Sequence, residues 1–557
     1  MIKKIYACDF ETTTLKKSSE ETSVYLWCAI DVNKEKEFYG EDIESFFYFM
    51  KNNIGADFYF HNLKFDGIFI LDWLLFHTDF QYNETGKFTP NTFNTLISEE
   101  LMFYKIEIHF DEGKVHILDS LKKFAAGTSI AKMATDFETG LEKLKYDYDT
   151  EKPNALGYMY IRSDTLILAR GLKKIFKNGS KEMTIGADAY SYWKDGYKKY
   201  EFERLFPELS IEEDTNLRKY YKGGYTYVNR FYRNKIFEHI NGCCYDKNSM
   251  YPSQMYDNVF PVGKPRYFTG RYKDNPIFDL YVQHIKCYFV IKDNMPPMVQ
   301  RGYGRFKRDY ILSNLEKTEP EDLYFTSIDL QTFFTCYDVF NLEYIDGYMF
   351  RSKKDIFKSY IRQWYYMKTI SSGAMKSYAK LMLNSLYGKF GENPNVISRI
   401  PFKKGDIVGF KKTEPRRKKH TKYIPIALFI TSYARQDLIY NIIKLGGDSP
   451  NSSFIYCDTD SLHCIDDRAK DVLKIDDYRL GYWKKENGFN KCKFIRPKCY
   501  FESNENKNIV RIAGMPITQA ETIGFDEFDY NVSRKKLIPK IVRGGVLLVT
   551  TDYVLRK

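Results

Sequence analysis

The sequence predicts a multidomain protein, with an α/β domain over residues 1–186 and α+β domains after it. The 557 residues correspond to about three to five domains of roughly 100–200 residues each. Strand-like and helical segments alternate through residues 1–185, as in ADFYFHNLKFDGIFILDWLL, and this alternation indicates a partly parallel sheet. A long helical pattern covers residues 356–388 and is interrupted by Ser-Ser-Gly at 371–373, and strand-like pieces such as GGVLLVTTDYVL end the chain.

Charge and cysteine content favour a protein that binds a polyanion in a reducing compartment. Lys and Arg number 85 against 73 Asp and Glu, a formal net charge of +12. This excess suits a nucleic-acid partner, although many basic proteins bind none. The ten cysteines contain no C-x-x-C spacing, so we expect free thiols and no zinc site. We also expect no secretory signal and no membrane span, since no run of about 18 apolar residues occurs.

Two acids end the first predicted strand. Asp9 and Glu11 lie two residues apart, so their side chains point to the same face of the strand. Both faces also carry apolar residues, as in an interior strand. Buried acids are costly without a compensating cation, and Mg²⁺ prefers oxygen ligands.

Two later segments supply the rest of such a site. HNLKFDG contributes His61, Asn62 and Asp66, and Tyr160 shares a helix face with Asp164. Each piece alone also fits an ordinary role as a turn cap or a helix face. In this order and spacing, they favour four carboxylates that hold two ions and hydrolyse a phosphodiester, with Tyr160 orienting the water.

A second set of acids lies in the C-terminal half. FIYCDTDSLH indicates a hairpin that displays Asp458 and Asp460 at its tip. A turn tolerates Asp for local hydrogen bonding alone. However, Asp246 ends another strand-like run, NGCCYD, and offers a further carboxylate for a metal-bound phosphate.

A polar helix face lies between these two segments. Lysines suit a triphosphate as point charges, whereas a core-facing stripe would be apolar. A merely solvated face is the alternative. The residues that form this polar face recur at helical spacing. They are Lys376, Lys380, Asn384 and Tyr387, and Gly388 follows them.

Together, these motifs resemble the family B DNA polymerases, in particular the protein-primed type of phi-29-like bacteriophages. DKNSMYPSQM, KLMLNSLYG and YCDTDS resemble the three polymerase motifs, and DFE, NLKFD and YIRSD resemble the three exonuclease motifs. The resemblance covers nearly the whole chain. It implies an N-terminal RNase H-like 3′→5′ exonuclease domain and a right-hand polymerase with palm, fingers, thumb and two insertions.

For the polymerase half, the resemblance implies Asp246 and Asp458 as metal ligands, with Asp460 supporting them. Tyr251 corresponds to a steric gate against ribonucleotides, and Lys380 acts catalytically on the triphosphate. The implied nucleotide contacts are Tyr251, Lys368, Lys376, Lys380, Asn384, Tyr387 and Gly388. The implied DNA contacts are Lys498 and Tyr500 of a K-x-Y element at the primer terminus and Tyr221, Gly223 and Gly224 of a Y-x-G-G connection. Lys247 is a departure, because relatives usually have an aliphatic residue there.

For the nuclease half, the resemblance implies Asp9, Glu11, Asp66 and Asp164 as metal ligands and Tyr160 as a catalytic residue. Lys143 matches a catalytic lysine that offsets developing phosphate charge. The implied single-strand contacts are His61, Asn62, Phe65, Ser120, Leu121 and Tyr148.

The resemblance also suggests domain boundaries. The exonuclease covers 1–186, the palm 187–257 and 424–512, the fingers 356–391 and the thumb 513–557. An insertion at 258–355 is expected to dock a priming protein, and another at 392–423 to support processivity and strand displacement. The second includes the basic run KKTEPRRKKHTK, which suits phosphate contacts.

The implied function is replicative DNA-directed DNA synthesis with proofreading, using two Mg²⁺ per active site, with Mn²⁺ as a substitute. The expected partners are primer-template DNA, dNTPs, a terminal protein and a single-stranded-DNA-binding protein, around a monomer in the cytoplasm of a bacterial host. One alternative is a nuclease whose C-terminal half binds nucleic acid without catalysis, and another is a non-catalytic scaffold. Tyr251 and the attached nuclease disfavour an RNA polymerase or a reverse transcriptase.

Overall fold

The structure is a computed structural model that describes residues 3–13, 21–125, 127–145, 152–300, 310–418 and 420–556. In these ranges, no helix is both long and apolar enough to cross a membrane. All ten cysteines are free and buried, as the sequence predicts.

The N-terminal domain is built on one mixed sheet of eight strands. Its strands are β1 (Ile5–Thr12), β2 (Val24–Asp31), β3 (Glu37–Gly40), β4 (Asp57–Phe60), β5 (Gln81–Tyr82), β6 (Thr92–Ile97), β7 (Phe103–Phe110) and β8 (Gly113–Asp119). Its helices are α1 (Ile43–Lys51), α2 (Asp66–Phe76), α3 (Ile130–Asp136) and α4 (Ala155–Lys177). The sheet order is β3-β2-β1-β4-β8-β7-β6-β5, with β4 parallel to both β1 and β8. The predicted partly parallel α/β sheet is confirmed.

The two faces of β1 pack into different parts of the core. Ala7 packs in one cluster with Ile161 and Leu168 of α4, whereas Cys8 and its even-numbered neighbours pack in another. Side chains two residues apart on a strand share a face. The acids at positions 9 and 11 therefore lie on the face that α4 covers.

Three helices and three strands follow the first domain. They are α5 (Ile185–Asp195), α6 (Lys199–Leu205), α7 (Ile211–Arg218), β9 (Thr226–Val228), β10 (Ile236–Phe237) and β11 (Gly242–Lys247), and then comes α8 (Met250–Asp257). The next segment forms a four-stranded antiparallel sheet of order β12-β15-β13-β14. It consists of β12 (Val259–Thr269), β13 (Leu280–Ile291), β14 (Glu321–Thr326), α9 (Ser327–Cys336) and β15 (Tyr337–Lys354).

The long helical pattern forms two helices, α10 (Lys358–Ile370) and α11 (Gly373–Phe390). The break falls at the predicted Ser-Ser-Gly, where Gly373 has a φ of 48° that a glycine adopts readily. Two small two-stranded sheets follow. Their strands are β16 (Asn395–Val396), β17 (Arg399–Lys404), β18 (Ile407–Lys412) and β19 (Arg416–Arg417).

The last part of the chain completes two sheets and adds a long hairpin. Its elements are α12 (Pro425–Lys444), β20 (Phe454–Asp458), β21 (Ser461–Cys464), α13 (Ala469–Val472), β22 (Trp483–Phe489), β23 (Lys491–Arg496), β24 (Cys499–Asn504), β25 (Lys507–Ile512), α14 (Ile517–Ala520), β26 (Ser533–Val542) and β27 (Gly545–Val554). One sheet has the order β22-β11-β21-β20-β9 and the other β10-β23-β24-β25, while β26 and β27 pair with each other.

Two acidic clefts as candidate catalytic sites

The first acidic cleft lies where β1 meets α2 and α4 and has a volume of about 440 Å³. β1 contributes Asp9 and Glu11, the first turn of α2 contributes Asp66, and α4 contributes Asp164. The structure therefore brings together the three predicted segments. The same cleft is lined by His61, Asn62, Phe65, Lys143 and Tyr160.

Asp9 is half-buried in this cleft, and the other carboxyl groups, those of Glu11, Asp66 and Asp164, are buried. Burial, helped by Asp164, raises the pKa of Asp9 to about 7. Burial and the neighbouring acids raise the pKa of Glu11 to about 9, and burial also raises the pKa of Asp66. Lys143 donates to one carboxylate oxygen of Asp164. The other oxygen, Oδ1, is buried without a hydrogen-bond partner.

Divalent cations fit this cleft by the chemistry of its donors, because carboxylate oxygens are the ligands that Mg²⁺ prefers. Among the described residues, however, no three His, Cys, Asp or Glu side chains are arranged to hold a metal ion as they stand. In this arrangement Lys143 supplies the counter-charge, with its Nζ also 2.9 Å from the Tyr160 hydroxyl. Metal ligation requires the carboxylates to converge, and it stays a prediction.

One residue predicted to contact the single strand, Ser120, is buried in this structure, and its DNA contact stays a prediction. Ser120 is fully buried, and its hydroxyl lies 2.9 Å from Nδ1 of His61. Nε2 of the same ring lies 2.7 Å from the Thr128 carbonyl oxygen. Ser120 thus positions His61 and faces no solvent, which the sequence did not reveal.

The remaining single-strand contacts lie around a residue that sequence reasoning missed. Asn62 is exposed, and Phe65 and Leu121 are half-buried. Oδ1 of Asp119 accepts hydrogen bonds from the backbone N–H of Asn62 at 3.2 Å and of Leu121 at 3.0 Å. Asp119 therefore joins the two segments, and its place at the end of β8 was the available signal. Tyr148 lies outside the described residues.

The second acidic cleft lies at one end of the five-stranded sheet and has a volume of about 450 Å³. Asp246 is the penultimate residue of β11, Asp458 ends β20, and Asp460 lies in the tight turn to β21. In the pairing of β11 with β21, Asp246 lies opposite Ser461. The predicted hairpin is confirmed. Its turn residue Thr459 has a φ of 62°, which is uncommon for a β-branched residue.

Asp246 is surrounded by both signs of charge. Burial, together with Asp460 and Glu486, raises the pKa of Asp246 to about 7, while Lys380 and Lys368 oppose the shift. Burial also raises the pKa of Asp460. Glu486, on β22, was not predicted, since nothing in its local pattern separates it from the exposed charges beside it. A cation is again favoured, because several acids lie close together at this cleft.

In the part of the chain that the structure describes, four side chains donate to the carboxylate of Asp458, one of them the neighbouring Thr459 at 3.4 Å. Lys498 Nζ lies 2.9 and 2.6 Å from its two carboxylate oxygens. The hydroxyls of Thr226 and Tyr456 each donate to it at 3.2 Å. Lys498 thus lies at the second cleft, and its contact with the primer terminus stays a prediction, whereas Thr226 and Tyr456 were missed.

The predicted polar face of α11 is exposed in the structure. Beside it, the half-buried ring of Tyr387 stacks on Tyr251, with ring centroids 3.9 Å apart. Lys368 of α10 donates to the Ser249 hydroxyl at 3.2 Å, next to the start of α8. Lysines of both helices therefore face the Asp246 strand. The exposed residues of the face are Lys376, Lys380, Asn384 and Gly388.

The Y-x-G-G segment packs directly against the second cleft. A Cβ on Gly224 would lie 2.9 Å from the Thr459 hydroxyl and 3.0 Å from that of Tyr251, so a larger residue would displace the turn. Arg435 of α12 donates to the Gly223 carbonyl at 2.8 Å. Arg435 was also missed, because its partner lies more than 200 positions earlier in the chain.

Two further predicted residues lie at the borders of this region. Tyr221 contacts the end of α11, since a Cβ on Gly391 would lie 2.5 Å from its hydroxyl. Tyr500 lines the second cleft, and its ring centroid lies 5.4 Å from that of Tyr456.

Lys247, the departure beside Asp246, turns away from the cleft. Its side chain is buried, and its Nζ pairs with Asp437 of α12. It also lies 5.2 Å from the centroid of the Trp483 ring. This lysine ties the Asp246 strand to α12 and leaves the Asp246 carboxyl group free of it.

The two clefts share no lining residue. At the second cleft, the acidic end of a sheet faces a helix that bears lysines. The first acidic cleft lies on a separate α/β domain. Together, the two clefts are those of a nucleic-acid polymerase with a separate N-terminal domain.

Comparisons with known proteins also identify a polymerase. The family model "DNA polymerase type B, organellar and viral" matches residues 48–169 and 156–477. The chain is 37% identical to a DNA polymerase of Bacillus phage Nf and 36% identical to that of Bacillus phage phi29, in each case over 100% of both chains. It is 30% identical to the DNA polymerase of Streptococcus phage Cp-1, covering 99% of this chain and 98% of the relative.

A solved structure of phi29 DNA polymerase with primer-template DNA and incoming nucleotides matches with a TM-score of 0.91. Its identity is 35% over 100% of both chains. The chain belongs to the type B DNA polymerases of organelles and viruses, and it has the multidomain fold of a DNA-directed DNA polymerase of that family. This result excludes the alternative of a nuclease with a non-catalytic C-terminal half.

Proposed function

We propose that this polymerase replicates a linear phage genome, adding nucleotides at the second cleft and proofreading at the first. The observation that carries this proposal is the pair of separate acidic clefts in one chain. A solved structure of phi29 polymerase with single-stranded DNA, 34% identical with a TM-score of 0.89, supports a single-strand path in this fold. We propose that this replication takes place in the cytoplasm of the bacterial host.

At the second cleft, each side chain has a distinct task. Asp246 and Asp458, supported by Asp460, would hold two divalent ions, which supply Lewis-acid stabilisation of the transferring phosphoryl group. Lys380 acts on the triphosphate as a point charge, with Lys368 and Lys376 beside it. Primer-template DNA and dNTPs are the substrates. Asn384, Tyr387 and Gly388 border the nascent base pair, and Lys498 and Tyr500 hold the primer terminus.

At the first cleft, the proposed reaction is hydrolysis of the 3′-terminal phosphodiester. Asp9, Glu11, Asp66 and Asp164 would hold the ions, with Mg²⁺ as the resident metal and Mn²⁺ as a substitute. Tyr160 orients the attacking water. Lys143, within hydrogen-bonding distance of Tyr160, is placed to offset charge on the phosphate once a metal occupies Asp164.

The two insertions support initiation from a protein and strand displacement. The four-stranded sheet at 258–355 packs on the core around α12, and a priming protein would dock on it. The basic strands β17 and β18, within the 392–423 insertion, pack beside the first domain, where Lys412 pairs with Glu99 at 2.6 Å. This contact bridges the two halves of the molecule. A single-stranded-DNA-binding protein would cover the displaced strand.

Primer extension through a long duplex, without a helicase, tests the replicative part of this proposal. We expect the purified chain to synthesise full-length product while the annealed strand is released. Products that stop at the first duplex base pair would refute strand displacement, while extension on a single-stranded template would still report polymerase activity.

Protein priming is tested with labelled dNTPs and the proteins of an infected cell. We expect the chain to link a labelled nucleotide to a protein hydroxyl, which gives a labelled band that resists DNA digestion. A chain that extends DNA primers but labels no protein would refute this part alone.

Replacing Tyr251 with valine should weaken discrimination against ribonucleotides. The aromatic wall beside Tyr387 is lost, and contacts of this size are worth about 1–3 kcal/mol, or roughly tenfold to a hundredfold in selectivity. The measurement is the ratio of kcat/KM for a dNTP to that for the matching ribonucleotide. Tyr256→Val, in the same helix, is the matched control. Unchanged selectivity in Tyr251→Val would remove the gate assignment.

A further inference from the structure

One buried ion pair joins the two sheets that border the second cleft. Nδ1 of His463, on β21, lies 2.6 Å from Oε1 of Glu502, on β24, and the two side chains are 4% and 3% exposed. β21 belongs to the five-stranded sheet and β24 to the four-stranded one. The pair therefore fixes the position of one sheet relative to the other.

The environment of the His463 ring favours its charged form. Nε2 lies 3.6 Å from Sγ of Cys244. Burial lowers the pKa of His463, but Cys244 and Glu502 on either side raise it overall, well above its ordinary value. A ring that donates from Nδ1 to a carboxylate is held in one orientation.

A cluster of rings surrounds the pair. The centroid of His463 lies 5.1 Å from that of Tyr456, 5.5 Å from Phe494 and 5.3 Å from Tyr500. Tyr500 in turn stacks on Phe494 at 5.1 Å with an interplanar angle of 16°. Displacing His463 would thus displace Tyr500 of the K-x-Y element.

The same cluster reaches the catalytic hairpin. The hydroxyl of Tyr456 donates to Asp458 Oδ2 at 3.2 Å and accepts from the backbone N–H of Lys498 at 3.0 Å. Lys498 has a φ of 60°, which costs energy for a residue with a side chain. Tyr456 therefore couples the acid to the K-x-Y strand and holds Lys498 in a conformation that it would not adopt unaided.

We propose that His463 and Glu502 are positioning residues that keep the K-x-Y strand, and with it the primer terminus, in register with Asp458. This inference rests on the proposed role of Lys498 and Tyr500 at the primer terminus. Removing one partner of a buried ion pair also destabilises the fold, so the geometric effect of this pair is read from KM at a temperature well below the thermal midpoint. Both residues line the second cleft beside Asp458 and Tyr500.

Glu502→Gln tests the proposal, because glutamine keeps the shape and one acceptor but removes the charge. We expect KM for primer-template DNA to rise about tenfold, which corresponds to about 1.4 kcal/mol. The thermal midpoint should fall because a buried partner is removed, but the kcat for the correct dNTP, measured well below that midpoint, should stay near its unmodified value. Glu505→Gln, an exposed acid at the tip of the same hairpin, is the matched control and should change neither constant.

His463→Gln and the double variant show whether the two residues act as a unit. If they do, the double variant should lose no more than either single one. An unchanged KM in both single variants would overturn the proposal. So would a parallel fall of kcat and single-strand degradation well below the thermal midpoint, which would indicate a purely structural role. Lys498→Ala tests the primer-terminus role by itself: unchanged primer use in that variant would refute the proposed function of the K-x-Y element.

Discussion

Replacing Asp458 with alanine should lower nucleotide incorporation by about a thousandfold or more while single-strand degradation continues. Asp458 lies at the tip of a hairpin beside the strand that carries Asp246. Divalent ions at such a site contribute several kcal/mol to transition-state stabilisation, and about 1.4 kcal/mol corresponds to a factor of ten in rate. Loss of a ligand also leaves Lys498 without its carboxylate partner.

The measurement is single-turnover incorporation of one dNTP on a primed template. Asp467→Ala is a suitable control, because Asp467 is an exposed acid a few residues further along the chain and pairs with Lys470 on the surface. It should leave incorporation unchanged. If Asp458→Ala still incorporated at a rate near that of the unmodified chain, the second cleft would not be the site of synthesis.

The second large effect is expected from Asp9→Ala combined with Asp66→Ala. Both carboxyl groups lie in the first cleft, which shares no lining residue with the second. Degradation of single-stranded DNA should fall by about a thousandfold or more, on the same physical ground, while primer extension is preserved.

The double variant should remain folded, so that a loss of degradation reports the loss of the two carboxyl groups. Burial raises the pKa values of both groups, so their charged forms oppose folding at neutral pH, and their removal relieves that cost. Asp111→Ala, an exposed acid of the same domain, is the control. Simultaneous loss of extension and degradation in the double variant would indicate that the two activities use one site.

Local sequence patterns predicted the parts of the sites that lie on single elements. The same-face placement of Asp9 and Glu11 follows from strand periodicity, and the exposed lysine face of α11 follows from helical periodicity. The local pattern FIYCDTDSLH likewise predicted the tip of the β20–β21 hairpin. Each depends on residues that are near one another in the chain.

Contacts between distant segments were not predictable from the sequence. Lys247 pairs with Asp437 across 190 positions, and Arg435 holds the carbonyl of Gly223 across 212. The complete burial of the Ser120 side chain and its contact with His61 were likewise not predicted. A residue's partners across the fold depend on how sheets and helices pack, and no local pattern records that arrangement.

The measurement that tests the central claim most directly is conversion of dNTP to dNMP on a primed template supplied with only the next correct nucleotide. If one chain adds at the second cleft and removes at the first, the unmodified protein should release dNMP continuously. Asp9→Ala with Asp66→Ala should extend the primer by one nucleotide and release no dNMP. Asp458→Ala should not extend the primer and should convert none of the supplied dNTP to dNMP, although it still removes nucleotides from the primer end. An unmodified chain that extends the primer without ever releasing dNMP would contradict the account.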